Sequence, residues 1–153
     1  MEKTALHPFE DQGFSQAVSV SEPTHKRVFI AGTIAVDEDG SIVGENDMEA
    51  QTRHIFDQFE QSLEDLGGDL DDLVRVRVYV TTMDDDALEG YSRGRDGRAD
   101  FYNDPEHYPA STMVKVDSLV LEEAMVEVDA EAIIPDDGWN TTVQGPGEWP
   151  YSG

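Results

Sequence analysis

The stretch from Tyr108 to Ile133 decides the fold. Tyr108-Pro109-Ala110-Ser111-Thr112-Met113-Val114-Lys115-Val116 opens it, Val126-Glu127-Val128-Asp129-Ala130-Glu131-Ala132-Ile133 closes it, and a short polar connection holding Asp117, Ser118, Glu122 and Glu123 lies between. Successive side chains of an extended backbone point to opposite faces, so alternation of period two predicts two strands, each with one apolar face. Upstream, Leu73 to Thr81 repeats the pattern, with Val74, Val76, Val78 and Val80 on one face and Arg75, Arg77 and Tyr79 on the other. Gln16 to Ser21 and Arg27 to Val36 complete the set of predicted strands. The run Val28-Phe29-Ile30-Ala31-Gly32-Thr33-Ile34-Ala35-Val36 is nearly all apolar, which predicts burial on both faces, and Asp37-Glu38-Asp39-Gly40 predicts a turn after it.

Helical spacing appears twice between these strands. From Asp47 to Leu66, the residues Met48, Thr52, Ile55, Phe56, Phe59, Leu63 and Leu66 form one core-facing stripe, Asn46 and Glu49 stand as a capping box, and Gly67-Gly68 ends the helix. A second helix is predicted over Asp86 to Tyr102, although Gly90, Gly94 and Gly97 each cost about 1 kcal/mol relative to alanine in a helix interior. Residues 1 to 12 carry no periodic signal and are predicted to be a loosely docked lead-in. From 135 to 153, turn formers and aromatics without periodicity predict an irregular tail wrapping a surface, after a single domain over 1 to 134. The order ββαβαββ is that of an α+β domain: a mixed β-sheet with two helices on one face. On the uncovered face, Arg75 and Arg77 would stand against Glu127, Asp129 and Glu131 on a neighbouring strand.

Composition narrows the function classes. The chain of 153 residues carries a formal charge of -24, with 19 Asp and 15 Glu against 3 Lys, and the acids run from end to end. A small domain ordinarily carries a net charge of magnitude about 2 to 8. A field this negative repels phosphate backbones and anionic lipid, so no nucleic-acid partner and no membrane partner is expected. The acid excess is read as adaptation to a high-salt cytoplasm, because the Debye length falls to about 3 Å at 1 M salt and screens carboxylate repulsion. With no cysteine there is no disulfide, thiolate catalyst or cysteine-ligated metal, and the start Met1-Glu2-Lys3-Thr4 lacks the features of a signal peptide. A cytoplasmic protein is expected.

Motifs for phosphate binding, zinc hydrolysis, serine hydrolysis and calcium binding are missing, and His7, His25, His54 and His107 have no short ligand spacing, so no metal and no cofactor is expected. Asn140-Thr141-Thr142 is a formal glycosylation sequon read as a chance motif of the tail.

Four blocks in order carry a family resemblance: Gly13-Phe14-Ser15-Gln16-Ala17-Val18; Phe29-Ile30-Ala31-Gly32-Thr33-Ile34; the passage from Leu63-Glu64-Asp65-Leu66-Gly67 to Val74-Arg75-Val76-Arg77-Val78-Tyr79-Val80; and Pro109-Ala110-Ser111-Thr112 through Leu119 to Val126-Glu127-Val128-Asp129-Ala130. Over roughly residues 10 to 134 the chain resembles the RidA/YjgF family of enamine and imine deaminases. The resemblance implies a RidA/chorismate-mutase-like α+β fold, a homotrimer with sheets turned toward its three-fold axis, and small-molecule pockets between subunits. It implies a substrate-binding set of Phe14, Ala31, Gly32, Thr33, Ser111 and Thr112, with Glu127 as the catalytic acid that orients water.

Phe14 keeps the aromatic wall of the family's tyrosine without its hydroxyl, and Ser111 stands where the family carries an arginine that grips the substrate carboxylate. Serine offers one hydroxyl and no charge, which an arginine fork exceeds on both counts. A carboxylate would then be held by backbone N–H groups or by Arg93, Arg95 or Arg98, and Tyr102 or Tyr108 would reach a neighbouring subunit's pocket. Structural alternatives stand beside these roles: Glu127 as a charged residue of a strand face, Phe14 as a core aromatic, Gly32 as the mark of a bulge, Ser111 and Thr112 as plain strand residues. Three functions follow: a Rid-type hydrolase releasing ammonia from reactive imines, a small-molecule binding or sensing trimer without that chemistry, or another hydrolase or lyase for a neutral or cationic substrate.

Overall fold

The computed structural model describes residues 1–8, 12–96 and 105–145. In chain order the elements are β1 (Lys3–Leu6), β2 (Ala17–Ser21), β3 (His25–Thr33), α1 (Met48–Asp65), β4 (Leu73–Val80), α2 (Asp85–Arg95), β5 (Ala110–Lys115) and β6 (Val126–Pro135). The six strands form one mixed sheet in the order β1-β2-β3-β6-β4-β5, in which β4 and β5 are parallel and the other pairs antiparallel. The two strands of the opening stretch are therefore not neighbours, since β4 lies between β5 and β6.

One face of the sheet is covered by helices. The stripe on α1 is buried as predicted, with Ile55, Phe56, Phe59 and Leu63 packed on Val76, Val78, Val126 and Val128 of the central strands. Gln51 sits in this core without cost because each polar atom is used: Nε2 donates to the carbonyls of Gly44 (3.1 Å) and Glu123 (3.0 Å), and Oε1 accepts from the Met125 N–H (2.8 Å). These bonds tie the connection between β5 and β6 to α1. The glycines of α2 mark its crossing of α1: a methyl carbon at Gly94 would fall 2.5 Å from the Glu49 carbonyl oxygen, so only a residue without a side chain lets the helices approach this closely.

Several expectations are corrected. Lys3 to Leu6 is a strand rather than a free lead-in, pairing with β2 from Lys3↔Val20 to Leu6↔Ala17. The helix cap is Asp47, whose side chain accepts from the Ala50 N–H (3.0 Å), while Asn46 takes the left-handed conformation at φ 61° and caps nothing. β3 stops at Thr33, and Val36 instead bridges Ile42 across the turn. β3 is also buried on one face only: Val28 and Ile30 are buried, whereas Phe29 on the opposite face is 42% exposed. A shift of register between Leu73 and Arg75 takes Val74 out of the buried row, and Leu73 takes its place. α2 ends at Arg95, and the predicted continuation over 97 to 102 lies outside the described residues.

The uncovered face carries the expected cross-strand charges. Arg75 pairs in register with Glu131, Arg77 with Asp129 and Tyr79 with Glu127. Arg77 Nε donates to Asp129 Oδ1 (2.8 Å), and the Tyr79 hydroxyl donates to Asp129 Oδ2 (3.2 Å). Beyond β6, residues 136 to 145 have no regular structure, and the Trp139 indole N–H donates to Asp72 Oδ1 (2.8 Å), which ties this segment to the turn before β4. No helix among the described residues is long and apolar enough to cross a membrane.

Candidate functional site

The pairing of β3 with β6 breaks between Ile30 and Thr33, and a cleft of about 580 Å³ opens beside that break. Its volume lies within the roughly 300 to 1,000 Å³ of small-molecule sites. Ala31, Gly32 and Thr33 form one wall, Glu127 stands on β6 beside them, and Phe14 and Val120 stand at the rim, 52% and 83% exposed. Gln16 fixes the wall: its carbonyl accepts the Ala31 N–H (2.9 Å), its Nε2 donates to Thr33 Oγ1 (2.9 Å), and the Thr33 hydroxyl donates to the Ala31 carbonyl (2.8 Å).

Glu127 and Gly32 explain one another. A methyl carbon at Gly32 would lie 2.7 Å from Glu127 Oε2, so the carboxylate occupies the space that any side chain at position 32 would need. The carboxylate is half-buried and has no hydrogen-bond donor among the described residues. Burial, and after it the charge of Asp129 two residues along the strand, push its pKa above the ordinary carboxylate value. Two residues away, Asp129 has both oxygens occupied by Arg77 and Tyr79.

Of the seven predicted site residues, the structure brings together Phe14, Ala31, Gly32, Thr33 and Glu127. Ser111 and Thr112 are not in this cleft. They lie on β5, the edge strand, with β4 between them and β6. They also face opposite ways: Ser111 pairs with the buried Val76 and Thr112 with Arg77 of the uncovered face. Arg93 and Arg95 are on α2, paired with Glu89 and Asp96 and away from the cleft, while Arg98 and Tyr102 lie outside the described residues. Tyr108 lines a separate cleft with Asp71, Asp72, His107 and Trp139. Gln16, Gln58 and Val120 line the candidate site without having been singled out in the sequence. Gln16 lay within a quoted block, and its role follows from the turn of the chain before β2. Among the described residues no group of three or more His, Asp or Glu side chains is placed to hold a metal ion.

A mixed six-stranded sheet with two helices on one face and a carboxylate over a broken strand pairing defines an α+β domain of the YjgF type. The chain belongs to the endoribonuclease L-PSP family, whose model matches residues 4–134. A RutC family protein of Pyrococcus abyssi is 26% identical over 119 residues, covering 78% of this chain and 84% of that protein. The crystal structure of a YjgF/YER057c/UK114 family member from Mycobacterium tuberculosis aligns with a TM-score of 0.67 at 25% identity, over 87% of this chain and 100% of that one. A Rid family protein of Yersinia pestis aligns with a TM-score of 0.66 at 26% identity, over 86% of this chain and 98% of that one.

Proposed function

We propose that this protein is a Rid-type hydrolase that adds water to the C=N bond of reactive imines and releases ammonia. The observation that carries the reading is the Glu127 carboxylate, half-buried, without a donor among the described residues, and raised in pKa beside a cleft of small-molecule size. A general base works best when its pKa approaches the working pH, and burial moves a carboxylate in that direction. In the proposed step Glu127 takes a proton from the attacking water and returns it to the nitrogen. Phe14 and Val120 offer apolar surface at the rim, and the Gln16–Thr33 hydrogen bond braces the wall. The test is ammonia release from imines made in situ by an amino-acid oxidase, in molar KCl. Acceleration lost in Glu127→Gln supports the proposal, and no acceleration with any imine sinks it. Ser111 favours a second reading, a binding or sensing module, which gains if metabolites raise the melting temperature and no turnover accompanies them.

The proposed assembly is a homotrimer with clefts at subunit interfaces. Phe29 is 42% exposed under the Arg27 guanidinium (5.6 Å) on a sheet face that no helix covers, which supports burial by another copy. So does the distance in the sheet order between β5 and the cleft, since Ser111 or Thr112, which face opposite ways, joins Glu127 only if a second copy brings β5 to it. A monomer by light scattering in molar salt would refute this. The proposed partners are therefore a small molecule and further copies of the chain, with nucleic acid disfavoured by the charge of -24. The same charge supports a high-salt habitat for the fold, in which case the melting temperature rises from low to molar KCl.

A further inference from the structure

We propose that the cleft is built for imines without a carboxylate, taken up as iminium cations bearing an apolar substituent. This deepens the hydrolase reading and rests on it. Among the described residues lining the cleft, Glu127 alone is ionisable, and no lysine or arginine is among them. The walls are otherwise neutral, with Phe14, Ile34, Val36 and Val120 supplying apolar surface and Gln16 and Gln58 supplying amides.

Three cations of the described residues, none of which lines the cleft, are engaged elsewhere. Arg77 is held by Asp129, Arg53 by Glu49, and Lys26 Nζ by the Leu66 carbonyl at 2.8 Å. A substrate carboxylate would therefore enter beside Glu127 with no counter-charge among the described lining residues, and two like charges in a partly desolvated cleft repel strongly. An iminium nitrogen meets the opposite situation. It gives Glu127 a partner, and its N–H groups supply the donors that Glu127 lacks among the described residues. A second copy closing the cleft with one face of β5 would add the hydroxyl of Ser111 or that of Thr112, which suits a neutral or cationic group and does not replace a guanidinium.

The reaction balances as R–CH=NH2⁺ plus H2O giving R–CHO plus NH4⁺. Water attacks the carbon, a C–O bond forms, the π pair moves to nitrogen, and Glu127 receives the water's proton. Glu127 then protonates the amine of the carbinolamine. The C–N bond breaks with its electron pair on nitrogen, and the hydroxyl proton passes to the departing ammonia. The class of reaction that supplies such a substrate is the two-electron oxidation of a primary amine lacking an α-carboxylate, and the product is an aldehyde.

The experiment compares two imines with one side chain, made in situ from leucine by an amino-acid oxidase and from 3-methylbutylamine by an amine oxidase. Hydrolysis is read in molar KCl by competition with semicarbazide. The full-length protein is expected to accelerate the amine-derived imine by about tenfold or more over the leucine-derived one. Ser111→Arg, on an exposed edge strand where the fold tolerates it, is expected to move the preference toward the leucine-derived imine. Equal or greater acceleration of the leucine-derived imine by the wild type overturns the substrate class and leaves the hydrolase reading standing. Acceleration of neither imine overturns both.

Discussion

Two carboxylates, Asp72 in the turn before β4 and Glu127 on β6, are both removed from water, and both have their pKa raised chiefly by burial. Their surroundings differ. Asp72 Oδ2 accepts the Asp69 N–H (2.9 Å) and Oδ1 accepts the Trp139 indole N–H (2.8 Å), so it is a satisfied acceptor that ties two distant segments together. Glu127 has no donor among the described residues and faces a cleft. A buried polar group with its partners made contributes to the fold, and one left without partners is costly unless a ligand or reaction uses it. On this contrast Asp72 serves the architecture, and the chemistry proposed for the cleft falls to Glu127.

The largest effect expected from breaking this contrast is on turnover. Glu127→Gln keeps the shape over Gly32 but cannot accept a proton, and should lower imine hydrolysis by roughly 10²- to 10⁴-fold while leaving the assembly intact by light scattering. Unchanged turnover would return Glu127 to a structural role. Asp72→Ala should act in the opposite way, leaving kcat within experimental error and lowering the unfolding free energy by about 2 to 3 kcal/mol in denaturant titration, because two donors lose their acceptor. Loss of activity at full stability would break the comparison. Trp139→Phe removes one of those donors but keeps most of the ring, and a loss of about 1 kcal/mol is expected, read with the same titration.

The smallest effect concerns pH. A carboxylate whose pKa is raised on folding binds protons more tightly in the native state, so its contribution is favourable at low pH and is lost as pH rises through the raised value. Wild type and Glu127→Gln should therefore melt together below the ordinary carboxylate value of 4.5 and diverge above it, the variant becoming more stable by about 1 to 3 °C at neutral pH. Convergence at neutral pH instead would mean that Glu127 is not desolvated in solution.

The sheet and α1 were legible because their signal is local. Alternation in 73–80 and 126–133 and the stripe from Met48 to Leu66 each reflect burial of one face, and burial follows that pattern except where a bulge intervenes at Val74. β1 was not legible, because three of its four residues are exposed and its pairing with β2 is made by backbone groups that leave no mark in side-chain pattern. The cap failed for a different reason: Asn46 and Asp47 are both good caps, and only the backbone turn at Asn46 decides between them. Grouping Ser111 with Thr112 in one site conflicted with the alternation that had identified their strand, since neighbours on β5 face opposite sides. The bond between Trp139 and Asp72 joins residues 67 apart, beyond the reach of any local pattern.

The place of β6 in the strand order carries a consequence for synthesis. It sits between β3 and β4, yet it follows both in the chain. A nascent polypeptide leaving the ribosome therefore exposes two inner strand edges before the strand that joins them exists. Such edges are templates for pairing with other chains. β3 and β4 themselves carry no acid, but the segment between them, 34 to 72, is rich in Asp and Glu, which opposes association of newly made copies during this interval. The acids that charge the finished surface are thus already present beside these edges while the sheet is incomplete.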